Sequence, residues 1–375
     1  MQNDDYLKKQ IITYLGNKRK LIYHIEDVVK NIYEKSSKKL IIGDGFSGSG
    51  IVSRMLKRYA KELHVNDISS YSKILNHCFL SNISPSSLQE LSSIINKSNS
   101  YVDLKLKINE KIRNPWITKH WAPSGEITEN DRVYYTEINA KRIDWYYDYI
   151  SNHCPEKYKH FLHAMLIVKS SIHNNTIGQF SSYLKDETNT YGQYGGKNQI
   201  DLQRITSEII LELPVYENHN CKVYIDQDDT NNWIKKDVKY DLVYYDPPYN
   251  KHPYCIYYFM LDIIAKWDTT ETIPDTVRGQ PKNWIKSNYN SITHAEKTFD
   301  DLIKNTNSQY ILISYNNNGI IEEKLMENIL KKYGTIEKIV LEHKTYNRYK
   351  GVNEQKRKKK DEKINEFLWL LEKKY

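Results

Sequence analysis

Apolar positions along this chain recur with two different periods, and the changes from one to the other mark its elements. Short runs dense in Ile, Leu, Val and Tyr, bounded by glycine, proline or charge, predict strands at 39–43 (KLIIG), 62–66 (ELHVN), 222–225 (KVYI), 240–245 (YDLVYY) and 309–314 (QYILIS). The first runs into a glycine loop, Asp44-Gly-Phe-Ser-Gly-Ser-Gly50, and then a helical stretch from Ile51 to Tyr59; the second leads to Asp67, 23 residues beyond Asp44. Strand, loop, helix, strand is the opening βαβ unit of a doubly wound sheet.

From about Tyr71 to Asn220 the pattern turns to long polar and aromatic helices, with Trp, Tyr and His where a parallel strand would want Val and Ile. An inserted helical lobe accounts for this. Strand patterning then resumes, and the last part carries 336–341 (IEKIVL), a basic run at Lys356–Lys360 and 365–371 (NEFLWLL), which predict two antiparallel strands with a charged connection. The resulting division is α/β: residues 1–70 and 221–375 form one catalytic domain, and 71–220 are an insertion.

Composition narrows the setting more than the function. At 375 residues, 39% hydrophobic and 27% charged, with no apolar run of the length a bilayer requires, the chain reads as a soluble protein with no membrane association. Its first residues, Met1-Gln-Asn-Asp-Asp5, lack the basic leader and apolar run of a signal peptide, so a cytoplasmic location is expected. Cys78, Cys154, Cys221 and Cys255 are widely spaced, which argues against a disulfide framework and a zinc site. His160 and His163 share a helix face without a neighbouring Cys or acid cluster, so no metal is expected there either. A net charge of +8 suggests a polyanionic partner, because cations on phosphates release counterions.

Two local patterns carry chemistry. Gly48 and Gly50 allow a ligand to approach the backbone closely, and Asp67 at the end of the next strand could take both hydroxyls of a ribose; a ligand-free turn is the alternative. The stronger pattern is Asp246-Pro247-Pro248-Tyr249, directly after an apolar strand and therefore at the edge of an open sheet where ligands bind. Its prolines remove two backbone donors and leave the Pro247 carbonyl as a rigid acceptor beside the Asp246 carboxylate. An aromatic amine has two N–H bonds that need two acceptors, and Tyr249 could stack on the ring that bears it. A base reaches such a pocket only by leaving the duplex. A plain strand-ending turn is the competing reading of this tetrapeptide.

These patterns stand in an order that resembles the D12, Dam-like class of DNA adenine-N6 methyltransferases. Tyr14-Leu-Gly-Asn-Lys18 with Lys20-Leu21, Phe46-Ser-Gly-Ser-Gly50, Asn66-Asp67 and Asp246-Pro-Pro-Tyr249 carry the resemblance along the whole chain. Segments 135–144 (YTEINAKRID), 174–180 (NNTIGQF) and 314–319 (SYNNNG) are similar to its restriction-modification branch. The resemblance implies a seven-stranded Rossmann-like sheet with a mainly helical target-recognition insertion, S-adenosylmethionine as methyl donor, double-stranded DNA as substrate and a cognate restriction endonuclease as functional partner. It implies that Tyr14, Asn17 and Lys18 frame the cofactor, that Asp44, Phe46, Gly48 and Gly50 line its loop, and that Asp67 holds its ribose. Asp228 or Asp229 would meet the cofactor adenine, and Asp246, Pro247, Pro248 and Tyr249 would hold the substrate adenine.

DNA contacts are sought where flexible backbone combines with amides and cations: Asn174, Asn175, Gln179 and Lys185, then Lys197 in a glycine-rich loop, then Arg278 and Lys282. N4-cytosine methylation is the nearest alternative, although Ser more often precedes Pro-Pro-Tyr in those enzymes. A catalytically idle, nucleic-acid-binding version of the fold is the alternative from another class.

Overall fold

Seven strands form one sheet in the computed structural model, which describes residues 4–9, 11–282, 286–343 and 364–374. They are β1 (Leu40–Asp44), β2 (Ala60–Asn66), β3 (Lys222–Asp226), β4 (Tyr240–Tyr245), β5 (Ser308–Asn316), β6 (Gly334–His343) and β7 (Ile364–Lys373). Their order is β3-β2-β1-β4-β5-β7-β6, with the first five parallel and β7 antiparallel to both of its neighbours. The strands lie where the apolar runs predict them. The stretch Ile51–Tyr59 is a shorter helix than expected, Ile51–Leu56, because the chain turns at 57–59 and enters β2 at Ala60, which pairs with Leu40. The basic run Lys356–Lys360 lies outside the described residues.

Alternation along β4 explains why both faces are covered. Leu242 and Tyr244 join a core with Ile25 and Val29 of the helix Ile22–Ser36, whereas Val243 and Tyr245 join Phe299 and Leu302 of the helix Ala295–Asn305 on the other side. A strand buried on both faces reads as an almost unbroken apolar run, as YDLVYY does.

Between β2 and β3 come the helices Ser70–Phe79, Pro85–Lys107, Glu137–Asn152 and Glu156–Ile172, followed by mostly irregular chain to 221. Their apolar core includes Tyr71, Ile143 and Leu166 and continues without a break into Met260, Leu261 and Ile264 of the helix Tyr254–Lys266. The insertion thus shares its core with the helix that follows β4. No described helix is long and apolar enough to cross a membrane.

Candidate active site

The parallel strands all deliver their carboxyl ends to one edge of the sheet, and the loops there enclose a cavity of about 280 Å³. Tyr14, Phe46, Asp67, Asp229, Asp246 and Pro248 contribute to its wall, so residues distant in sequence meet because their strands are neighbours. Its volume approaches that of an ordinary small-molecule site, roughly 300 Å³ and upwards.

At the end of β1, Gly48 and Gly50 adopt φ of +50° and +77°, the left-handed region in which a side chain is strained. Space gives a second reason: a Cβ at Gly50 would come 2.5 Å from Asn76 Oδ1, and one at Gly48 2.9 Å from the Tyr14 ring. The loop is held from outside by Asp67, whose two carboxylate oxygens accept Gly48 N–H and Ser69 N–H, each at 2.8 Å. Ser72 Oγ donates to the Gly48 carbonyl at 2.7 Å. Beneath it Asp44 is fully buried; Oδ2 accepts from Ser53 Oγ at 2.5 Å and Oδ1 has no partner among the described residues. Burial pushes the Asp44 carboxyl up to about 7, against the lowering effect of the Ser53 bond. Burial also raises Asp67, and its backbone donors oppose that rise.

The segment around Tyr14 is clamped by the helix Tyr254–Lys266. The Tyr14 ring stacks on Tyr258 and Tyr254 at centroid separations of 4.9 and 5.3 Å, Leu15 N–H donates to Tyr258 Oη at 2.7 Å, and Tyr254 Oη donates to the Leu15 carbonyl at 3.3 Å. Lower on that helix, Asp262 Oδ1 accepts the first N–H groups of Ser70–Phe79, from Ser70 at 2.9 Å and Tyr71 at 3.3 Å. One helix therefore ties the N-terminal segment, the insertion and the post-β4 loop together.

Asp246 leaves β4 at the cavity edge, and Lys18 Nζ stands 3.0 Å from its Oδ1. Burial pushes the Asp246 carboxyl up to about 6; Lys18 works against this and Glu366 with it. For Lys18, burial favours the neutral amine, but Asp246 and Glu366 outweigh it and hold the group above the ordinary lysine range. The ammonium also lies 5.6 Å from the centroid of Tyr249, whose ring meets Tyr315 edge-on at 6.0 Å.

The structure brings Tyr14, Phe46, Gly48, Gly50, Asp67, Asp246 and Tyr249 to this one edge. Asp229 lines the cavity and accepts Asn231 N–H at 2.9 Å, whereas Asp228 accepts the Asp229 N–H at 2.7 Å and is not part of the wall. Asn17 and Lys18, which the resemblance assigns to the cofactor, do not line the cavity. Asn17 caps the turn Lys18–Lys20 by accepting Arg19 N–H at 3.0 Å, and Lys18 turns to Asp246.

Two expected DNA contacts are overturned. Asn174 and Asn175 are buried: Asn174 donates to Ser170 and Ser171 carbonyls at 3.0 and 2.8 Å, and Asn175 donates to Val133, Leu184 and Gln193 carbonyls and accepts from Gly195 N–H. Amides committed to organising loops cannot read bases. Lys197, Arg278 and Lys282 are exposed, and Gln179 and Lys185 are half-buried. Tyr254, Tyr258, Asp262 and Glu366 had no sequence signal. Gly16 stood in a recognised motif without a role of its own; its φ is +68°, and an added Cβ would collide with the Tyr249 hydroxyl.

The sheet order with one reversed strand, the glycine loop after β1 and Asp-Pro-Pro-Tyr after β4 define a methyltransferase fold. Residues 14–329 match the family described as D12 class N6 adenine-specific DNA methyltransferase, and the chain belongs to that family. It is 26% identical over 367 residues to the type II methyltransferase M.NlaIII of Neisseria lactamica, covering 96% of this chain and 99% of that protein. It is 28% identical over 371 residues to the type II methyltransferase M.FokI of Planomicrobium okeanokoites, covering 96% of this chain and 52% of the relative, so it spans about half of that longer protein. The type II methyltransferase M.CviAII of Paramecium bursaria Chlorella virus 1 is 26% identical over 340 residues, 89% of this chain and 92% of that one.

Proposed function

We propose that this chain is the modification enzyme of a restriction-modification system, methylating N6 of an adenine turned out of double-stranded DNA with S-adenosylmethionine as donor. The observation that carries it is Asp246, opening with Pro248 onto the same cavity as Asp67 and Asp229. The cofactor, when bound, supplies a methyl group activated by a positively charged sulfur, so the amine needs polarisation rather than a strong base.

The residues present fit such a donor. A glycine loop at positive φ packed closely on Tyr14 and Asn76, a carboxylate at the end of β2 and aromatic walls from Tyr14 and Phe46 match a charged nucleoside. Asp67 would hold the ribose, Asp229 the adenine of the donor, and Tyr14, Phe46, Gly48 and Gly50 its remaining surface.

At the acceptor side, Lys18 engages Asp246 Oδ1 and leaves Oδ2 for one N–H of the substrate amine. The Pro247 carbonyl takes the other. Two acceptors draw the nitrogen lone pair out of the ring, and Tyr249 offers its face to the base, offsetting part of the few kcal/mol that unstacking costs. Residues 71–220 serve as the target-recognition region, whose Gln179, Lys185 and Lys197 contact DNA together with Arg278 and Lys282 from the segment beyond β4. A cognate endonuclease cutting the same site is the functional partner.

Nucleoside mass spectrometry of unmethylated plasmid incubated with protein and S-adenosylmethionine tests this. N6-methyladenine is expected with wild type and not with Asp246→Ala, which retains donor binding. N4-methylcytosine, or no modified base, would overturn the reading.

A further inference from the structure

Because β7 runs against its neighbours, its first residues lie at the edge where the parallel strands end. Glu366 on β7 pairs in register with Asn316, the last residue of β5. There Lys18 Nζ sits 3.0 Å from Asp246 Oδ1 and 3.6 Å from Glu366 Oε2, on a side chain only 3% exposed. None of these three buried atoms has a hydrogen-bond partner elsewhere among the described residues.

One ammonium between two carboxylates has a mechanical and an electrical consequence. Lys18 can be drawn away from Asp246 only by also leaving Glu366, so its position is fixed from two strands. The trio carries a net negative charge, whereas a simple pair would be neutral. We propose that Glu366 is a positioning residue for methyl transfer, holding Lys18 against one oxygen of Asp246 so that the other faces the substrate amine. The proposal rests on the reading of Asp246 as the amine's acceptor.

A negative charge at Glu366 also disfavours ionisation of Asp246. The other groups facing Asp246 are Lys18 from the N-terminal segment, Asp44 at the end of β1, Tyr244 on β4, Tyr249 and Tyr254 beyond it, and Tyr315 on β5. All four tyrosines are raised above their ordinary range, chiefly by burial, and stay neutral, and burial pushes the Asp44 carboxyl up to about 7. Only Lys18 is cationic in this set, so exchanging Glu366 or Lys18 changes the field in opposite directions.

The test compares kcat/KM against pH for wild type, Glu366→Gln, Glu366→Asp and Lys18→Met, together with carboxyl-13C NMR titration of Asp246 in the cofactor-free proteins. Glu366→Gln should move both the acid limb and the NMR midpoint down by about one pH unit. Its kcat should fall about tenfold while KM for DNA stays within about twofold. Glu366→Asp should keep the wild-type midpoint and Lys18→Met should raise it; if Glu366→Gln alone fails to fold, the double variant Lys18→Met/Glu366→Gln should titrate below Lys18→Met, and coinciding midpoints in those two would overturn the role of Glu366. Midpoints of Glu366→Gln and wild type that coincide, or an upward shift in Glu366→Gln, would overturn the role of Glu366. A wild-type protein that makes no N6-methyladenine would instead overturn the functional reading, and the NMR midpoints would still report on the trio.

Discussion

Replacing Gly16 by Ala should disable methyl transfer while leaving the protein folded. Gly16 has φ of +68°, and an added Cβ would fall well inside van der Waals contact distance of the Tyr249 hydroxyl, with Cζ 3.1 Å away. The backbone cost of a Cβ in the left-handed region is about 1–2 kcal/mol, which lowers the melting temperature by only a few degrees, roughly 2–4 °C per kcal/mol. The larger effect falls on the ring, which must retreat by about 1 Å to restore ordinary contact. Tyr249 is confined by Tyr315 at 6.0 Å and by the Lys18 ammonium at 5.6 Å, so it cannot retreat without disturbing the group paired with Asp246. A displacement of about 1 Å at a reacting centre costs on the order of 100-fold in rate. Single-turnover methylation of duplex DNA, with thermal unfolding alongside, measures both quantities. Tyr249→Phe removes the nearest clashing atom, so the double variant should recover about tenfold over Gly16→Ala, a coupling that additive effects would not give. A Gly16→Ala enzyme within about threefold of wild type, or a double variant no faster than the single, would refute the steric account.

Two further substitutions probe other contacts. Tyr258→Phe strands the Leu15 N–H that donates at 2.7 Å, a loss of about 1–3 kcal/mol; calorimetry should show S-adenosylmethionine affinity falling about tenfold or more, and unchanged affinity would mean that the segment holds its shape without that bond. Asn175→Ala leaves the Val133 carbonyl and the Gly195 N–H unpaired at a buried position, while the Leu184 and Gln193 carbonyls keep their backbone donors, and should destabilise the fold by about 2–4 kcal/mol, with the set of methylated sites unchanged on sequencing; an altered site preference would return Asn175 to the DNA interface.

The sheet was legible because strands buried on both faces concentrate Ile, Leu, Val and Tyr between polar breaks; Tyr240–Tyr245 was bounded to the residue. Asp246-Pro-Pro-Tyr249, which alone reads equally as a strand-ending turn, was legible because Tyr14-Leu-Gly-Asn-Lys18, Phe46-Ser-Gly-Ser-Gly50 and Asn66-Asp67 precede it in order. Glu366 was not, since one glutamate just ahead of the apolar run Phe367-Leu-Trp-Leu-Leu371 carries no mark of what a reversed strand will place beside it. Asp262 and Tyr258 act across 191 and 243 residues of chain, and helical periodicity gives no sign of a partner so far away. Asn174 and Asn175 misled for a physical reason. A polar segment whose amides satisfy the backbone of neighbouring loops has the same composition as one that greets solvent, and only burial separates them.

The reversed strand also orders events in time. A ribosome delivers the residues in sequence, and β7 emerges after β6, yet it occupies the slot between β6 and β5. The hairpin must therefore enter the sheet as a late insertion, with β6 held off until its partner arrives. Glu366 rides on that strand, so the nascent chain has its glycine loop and its Asp-Pro-Pro-Tyr long before Lys18 gains its second anchor. The edge that holds Asp246 is thereby completed only when β7 has paired with β5.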